Sequence, residues 1–213
     1  MSDDEAVLEF LAVMRRLRAE CPWKASQTHR SLARYLLEET HETLEALDTG
    51  DADHLREELG DLLLQVFFHA AIAEEEGTFT MGDVARDVTA KMYRRNPHVF
   101  GDDTGTTADA EPLDPAAVDA LWQSRKDEEK RRTSLEEGLP PGLPALLHAT
   151  KVLDRLERAG VTATSDLHER HLAGAELPPH GGIGDRLLAL VAEARREGLD
   201  AEQELRDAVR RLL

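Results

Sequence analysis

Two pairs of acidic residues, Glu39 with Glu42 and Glu58 with Asp61, flank a short Asp48-Thr49-Gly50-Asp51 break, and their numbers mirror about residue 50. The segments on either side carry apolar residues at helical spacing. Between Ser31 and Leu47, the residues Leu32, Tyr35, Leu36, Leu44 and Leu47 form a stripe that no Pro or Gly interrupts. From about Asp53 onward, Leu55, Leu59, Leu62, Leu63, Val66, Phe67, Ala70 and Ile72 recur every three or four residues until Gly77, which predicts a long helix buried on much of its surface. The break between them is made of turn residues. An antiparallel helix hairpin follows, in which Glu42 lies as far before the turn as Glu58 lies after it and Glu39 stands level with Asp61. Four carboxylates then face one point. At roughly 1.5 Å rise per residue the two levels are about 4 to 6 Å apart, a separation that suits one or two hard divalent cations with bound waters. Carboxylates crowded this closely repel one another unless a cation neutralises them.

Other helices extend the pattern to an all-α bundle. Glu5 to Arg18 reads as an amphipathic helix with Val7, Leu8, Leu11, Met14 and Leu17 on one side, stopping at Cys21-Pro22-Trp23. Thr28 or Ser26 is placed to cap the helix that follows. Met81 to Arg95 is helical through Val84, Val88 and Met92 and ends before Asn96-Pro97. Gly101 to Pro115 is rich in Asp, Thr, Gly and Pro and is expected to be a mobile surface loop. A helix is expected from Ala116 to about Arg131, and Leu139 to Pro144 is a Pro-rich joint.

With 213 residues, 41% of them hydrophobic and 4% aromatic, the chain can bury one good core and at most a smaller satellite. A formal charge of -17 argues against nucleic-acid polymers and anionic membranes as partners, since phosphates are repelled where no basic patch receives them. No apolar run approaches the roughly 18 residues that span a bilayer, and the N-terminus is acidic where a secretory signal is basic. The single cysteine, Cys21, leaves no internal disulfide framework, so a reducing cytoplasm is the expected location.

Cationic residues on the later helices are few and spaced to act together. Lys91 and Arg95 are four apart on one helix face, as are Trp122 and Lys126. Beside a carboxylate-held cation, two or three such groups are what a polyphosphate requires, binding the oxygens that the metal leaves free. A Trp can stack on a base or sugar, although on a helix it is more often a packing anchor. Surface charge is likewise the commoner role of a Lys or Arg pair, and His41 and His69 on the hairpin are more often surface or core residues than ligands.

At this point the residues resemble a known family. Glu38-Glu39-Thr40-His41-Glu42, a spacer, then Glu58-Leu59-Gly60-Asp61-Leu62-Leu63 is similar to the E-E-x-x-E and E-x-x-D signature of the MazG family of all-α nucleoside triphosphate pyrophosphohydrolases. Cys21-Pro22-Trp23 before Gln27-Thr28, Arg95-Asn96-Pro97-His98-Val99-Phe100-Gly101-Asp102 and the Trp122 to Lys126 spacing match family habits in the same order. The similarity covers about residues 5 to 130. It implies that Glu39, Glu42, Glu58 and Asp61 hold Mg²⁺, with Mn²⁺ as a substitute, that Lys91, Arg95 and Lys126 bind phosphates, and that Glu38 positions or deprotonates water. The implied reaction cleaves a nucleoside triphosphate between its α and β phosphates, giving a monophosphate and pyrophosphate in nucleotide-pool housecleaning. It also implies a homodimer, since family members complete the site across a subunit interface. Lys24 departs from the acidic residue the family commonly carries after Pro-Trp.

Family members often contain two copies of the domain, and Ser134-Leu135-Glu136-Glu137-Gly138-Leu139-Pro140 resembles the linker into the second. Gly184-Asp185-Arg186-Leu187-Leu188 echoes Gly60-Asp61-Leu62-Leu63-Leu64, yet no Glu-Glu-x-x-Glu helix precedes it, and Gly182 stands where the glutamate partner of Asp185 belongs. Residues 1–133 are therefore expected to form the catalytic domain, and 134–213 a linker and a degenerate, noncatalytic repeat, with Leu172 to Gly184 marking a deletion. Two other readings remain: a narrower deoxynucleotide-specific pyrophosphohydrolase, and a catalytically silent helical interaction module.

Overall fold

A computed structural model describes residues 1–101, 114–130, 134–160 and 182–212. All the regular structure among them is helical: α1 (Asp3–Glu20), α2 (Pro22–Ala25), α3 (His29–Thr49), α4 (Ala52–Glu75), α5 (Met81–Arg95), α6 (Pro97–Phe100), α7 (Pro115–Lys130), α8 (Ala145–Arg158), α9 (Ile183–Arg196) and α10 (Ala201–Arg210). The all-α expectation holds. Most of the Gly101 to Pro115 stretch, and most of the Leu172 to Gly184 segment, lie outside the described residues. None of the described helices is long and apolar enough to cross a membrane.

The chain divides into two compact units, Met1–Arg125 and Lys126–Leu213, so the division falls inside α7. In the first unit α3 and α4 make the most extensive helix pair, and α1 and α5 each pack on α4. Local chemistry fixes where these helices start. Thr28 caps α3 and exchanges hydrogen bonds with Ser31 in both directions, while Ser26 instead donates its hydroxyl to the Trp23 carbonyl. The Asp51 side chain accepts from the backbone amides of Asp53 and His54 at the head of α4. Thr80 caps α5 reciprocally with Asp83, and those Thr80 donors, backed by Arg86, hold the Asp83 carboxyl down at about 2.

Between α3 and α4 the turn is closed by Gly50 at φ 71°, whose amide donates to the Ala46 carbonyl. A left-handed C-cap costs a side-chain-bearing residue about 1 kcal/mol. Gly50→Ala is therefore expected to lower unfolding free energy by about that amount, as read in urea titrations, even though a methyl there would meet no neighbour within 4 Å.

The first core gathers Met14 of α1, Leu32 of α3, and Phe67, Phe68 and Ile72 of α4, with Phe10, Leu11, Leu17, Tyr35, Leu64 and Met81 packed around them. It sits at the end of the hairpin remote from the turn. Three expected stripes are only partly covered. Val7 and Leu8 of α1 are exposed, because Phe10, Met14 and Arg18 are the residues turned inward. Leu36 and Leu47 of α3 and Leu59, Leu63 and Val66 of α4 also stay exposed, while Thr43 and Ala46 fill the seam near the turn.

Arg18 ties the short helix α2 to this core. Its guanidinium is paired with Glu75 of α4, donates to the carbonyls of Lys24 and Gln27, and lies 5.8 Å from the centroid of the Phe68 ring. That pairing also holds the Glu75 carboxyl below its ordinary value. The second unit has its own small core of Leu153, Val191 and Ala192, bordered by Leu146, Leu156 and Leu188, with Arg195 bridging Asp154 and Glu157.

Candidate active site

The hairpin brings carboxylates from both helices together. One oxygen each from Glu39, Glu58 and Asp61 can be chosen so that all three lie within 4.8 Å of one another. Helical rise places Glu39 opposite Asp61, and Glu58 one turn before Asp61 on the same face. Thr43 occupies the seam beneath them, its hydroxyl donating to the Glu39 carbonyl at 2.7 Å and reaching the Glu58 carbonyl at 3.5 Å.

Glu42, the fourth residue of the expected cage, stands outside this group of three on an exposed part of α3, near enough for its charge to help raise the Glu39 carboxyl. Glu38 is exposed one residue earlier. Lys91 is exposed on α5, while Arg95, one turn later, is buried with its guanidinium 5.2 Å from the centroid of the Trp122 ring. Trp122 is half-buried, so the indole packs on Arg95 on one side. Lys126 lies one turn further along α7, in the second compact unit.

The electrostatics of the cage are those of crowded anions. Burial, reinforced by Asp61 and Glu42, pushes the Glu39 carboxyl up from 4.5 to about 6. Glu58 is 8% exposed, and its Oε2 is buried without a hydrogen-bond partner. An acceptor-only oxygen left bare in a cluster of anions costs free energy that a cation would recover. All-oxygen donors of this kind suit a hard divalent ion such as Mg²⁺ or Mn²⁺. The residues present therefore fit a divalent cation, and Glu39, Glu58 and Asp61 are the ones that can hold it.

One further group escaped the sequence reading. His54 presents Nε2 to Glu58 Oε1 at 3.1 Å across one turn of α4. The four-residue spacing was visible, but a single His at that spacing carries no signal of its own.

The raised Glu39 value has a testable sign. A carboxyl whose folded value lies above its ordinary one contributes stability that is complete below about pH 4.5 and lost as pH rises through about 6. In EDTA, the unfolding midpoint of the native chain relative to Glu39→Gln should thus fall between pH 5 and pH 7. Added Mg²⁺ should raise the midpoint more at pH 7.5 than at pH 5, because ligands must lose their protons to bind. A Mg²⁺-induced shift that is equal at both pH values contradicts this.

An all-helical unit with a carboxylate cage on one hairpin belongs to a class that known proteins define. Residues 27–100 match the MazG nucleotide pyrophosphohydrolase domain. A nucleoside triphosphate pyrophosphohydrolase/pyrophosphatase MazG from Thermotoga maritima is 35% identical over 96% of this chain and 82% of its own length. The nucleoside triphosphate pyrophosphohydrolase of Mycobacterium tuberculosis is 40% identical over 96% of this chain, which spans 55% of that protein. A 26.1 kDa protein of Streptomyces cacaoi is 42% identical over 95% of this chain and 77% of its own. The chain belongs to the MazG nucleotide pyrophosphohydrolase family.

Proposed function

We propose that the chain is a Mg²⁺-dependent nucleoside triphosphate pyrophosphohydrolase that converts a nucleoside triphosphate and water into a nucleoside monophosphate and pyrophosphate. The observation that carries this reading is the convergence of Glu39, Glu58 and Asp61 within 4.8 Å, with one Glu58 oxygen buried and unpartnered. When bound there, Mg²⁺ supplies charge neutralisation and Lewis acidity toward phosphate oxygens and water.

The protein's own residues do the rest. Glu39, Glu58 and Asp61 hold the cation, and Glu42 adds negative charge beside Glu39. Lys91 and Arg95 take phosphate oxygens by charge-assisted hydrogen bonds. Trp122 stacks on the base or sugar with the face that Arg95 leaves open. Water adds at the α-phosphorus, the bridging P–O bond breaks, and its electron pair leaves on pyrophosphate. The water proton passes to Glu38, which flanks Glu39.

The exposed Leu36, Leu47, Leu59, Leu63 and Val66 form an unpartnered apolar face on the same hairpin, which favours a homodimer closing over it. Light scattering reads the mass directly, and a monomer at micromolar concentration would remove the dimer. The second unit, whose Asp185 has Gly182 where a glutamate partner belongs, is a degenerate noncatalytic repeat.

The test is a panel of ribo-, deoxy- and oxidised nucleoside triphosphates assayed for pyrophosphate with and without Mg²⁺. Pyrophosphate released in equal amount with monophosphate, and only with the cation, is the expected result. Orthophosphate release, or no release from any member, overturns the reading. Release confined to the deoxynucleotides would narrow the substrate class.

A further inference from the structure

We propose that His29 and His69 form a one-proton latch, which fastens the first turn of α3 to α4 in neutral solution and opens when both rings carry a charge. The pair involves none of the cage residues. His29 is the first residue of α3, and His69 lies 40 residues later on α4, at the end of the hairpin remote from the turn. Their Nδ1 atoms are 2.7 Å apart. The ring planes lie within 4° of each other and the ring centroids are 5.0 Å apart. A centroid separation so much larger than the nitrogen contact is reached only when the two nitrogens point at each other along the line between the rings. The contact is therefore a head-on N–H···N hydrogen bond and not a face-to-face stack.

An imidazole nitrogen either donates or accepts, so this bond holds a single proton whichever ring supplies it. One positive charge on the pair is compatible with that, because the added proton goes to an outer nitrogen. Two charges are not, because N–H then meets N–H at hydrogen-bond distance. The surroundings set the same limit. His29 is exposed, and its Nε2 lies 3.8 Å from Glu76, a carboxylate that supports one charge. His69 is half-buried with its Nε2 buried and unpartnered, so a charge on that ring goes without solvation. Burial first, and His29 second, hold the His69 ring below its ordinary 6.5. A base held down in this way contributes stability that is complete above about pH 6.5 and lost as pH falls below it. Of the charged groups on the elements packed here, Arg15 and Arg18 of α1 pair with Glu74 and Glu75, and Lys24 of α2 lies over the Phe68 ring. Asp83 of α5 is held by Thr80 and Arg86, Arg30 of α3 is exposed, and Glu76 is the one beside His29.

The experiment follows the full chain, with its histidines labelled with ¹⁵N, in EDTA and without nucleotide at pH 7.5 and pH 5. At pH 7.5 one proton resonance should couple to the Nδ1 nuclei of both rings, as only a shared N–H···N proton does, and at pH 5 that coupling should be gone. Amide hydrogen exchange, corrected for intrinsic rates, reads the helix. Protection of the Leu32 to Tyr35 amides should fall about 10-fold between the two pH values, the worth of one hydrogen bond. His29→Phe keeps a ring without nitrogens, and its protection there should not change with pH. Unfolding midpoints report the fold of each protein, and His29→Leu replaces the Phe variant should that one not fold. Absence of the coupling at pH 7.5 overturns the proposal. So does unchanged protection in the native chain at pH 5, or an equal fall in the His29 variant, since the pair would then not be the cause. Neither readout uses a cation or a nucleotide, so failure here leaves the hydrolase reading standing.

Discussion

Glu58→Gln should leave the hairpin folded and remove turnover, lowering Mg²⁺-dependent kcat/KM by roughly 10³-fold, about 4 kcal/mol of transition-state stabilisation. The substitution changes charge at nearly fixed shape. Gln keeps the volume, but it withdraws one of the three anions that lie within 4.8 Å of one another. In the metal-free protein that withdrawal relieves repulsion, because Glu58 is 8% exposed and its Oε2 has no partner. The unfolding midpoint in EDTA should accordingly be equal to or above that of the native chain, while the rise produced by Mg²⁺ disappears. Opposite movements of stability and activity are what distinguish a ligand from a structural carboxylate. Parallel loss of both in Glu58→Gln would mean that Glu58 serves the fold and not the cation.

Phe68→Ala is expected to have the largest effect on folding, about 3 to 5 kcal/mol. Phe68 is 2% exposed and is the bulkiest of the fully buried side chains, packed in the cluster of Met14, Leu32, Phe67 and Ile72. Its ring also receives two cations, the Arg18 guanidinium at 5.8 Å and the Lys24 ammonium at 5.3 Å, so truncation weakens the hold on α2 as well as the core. A domain of this size has about 5 to 15 kcal/mol in total, so the variant would lose a large fraction of it. Urea titration followed by circular dichroism measures the change. A loss below about 1 kcal/mol would contradict the assignment of this cluster as the core that supports the hairpin.

What could be read from the sequence was whatever local chemistry decides. The range Met81–Arg95 for α5 follows from its own periodicity and its Thr80 and Asn96-Pro97 punctuation, and α4 begins within a residue of where its pattern starts. The short helices α2 and α6 were not legible, because four residues behind a proline show no period. Periodicity also tells which residues share a face without telling what covers it. Leu47 and Leu59 fall on good stripes, yet they are exposed near the turn, while the core forms at the opposite end of the hairpin around Phe68.

The site divides in the same way. Numbers mirrored about Gly50 were enough to pair Glu39 with Asp61, because a tight turn converts sequence distance into height. They could not show that Glu42 stands at the surface beside the cluster, which depends on Thr43 filling the seam. Nor could spacing on α7 reveal that Trp122 packs on Arg95 from α5, a pairing made only by tertiary structure. His54 was missed for a different reason: its position was plain, and only the burial of Glu58 gives the contact its meaning.

If one hairpin grips a divalent cation with carboxylates from both of its helices, the ion can be located. Crystals grown with Mn²⁺ and measured near the manganese absorption edge should show an anomalous peak among the carboxylates of Glu39, Glu58 and Asp61. Manganese found elsewhere, or these three side chains turned apart into solvent with no ion between them, would contradict the account.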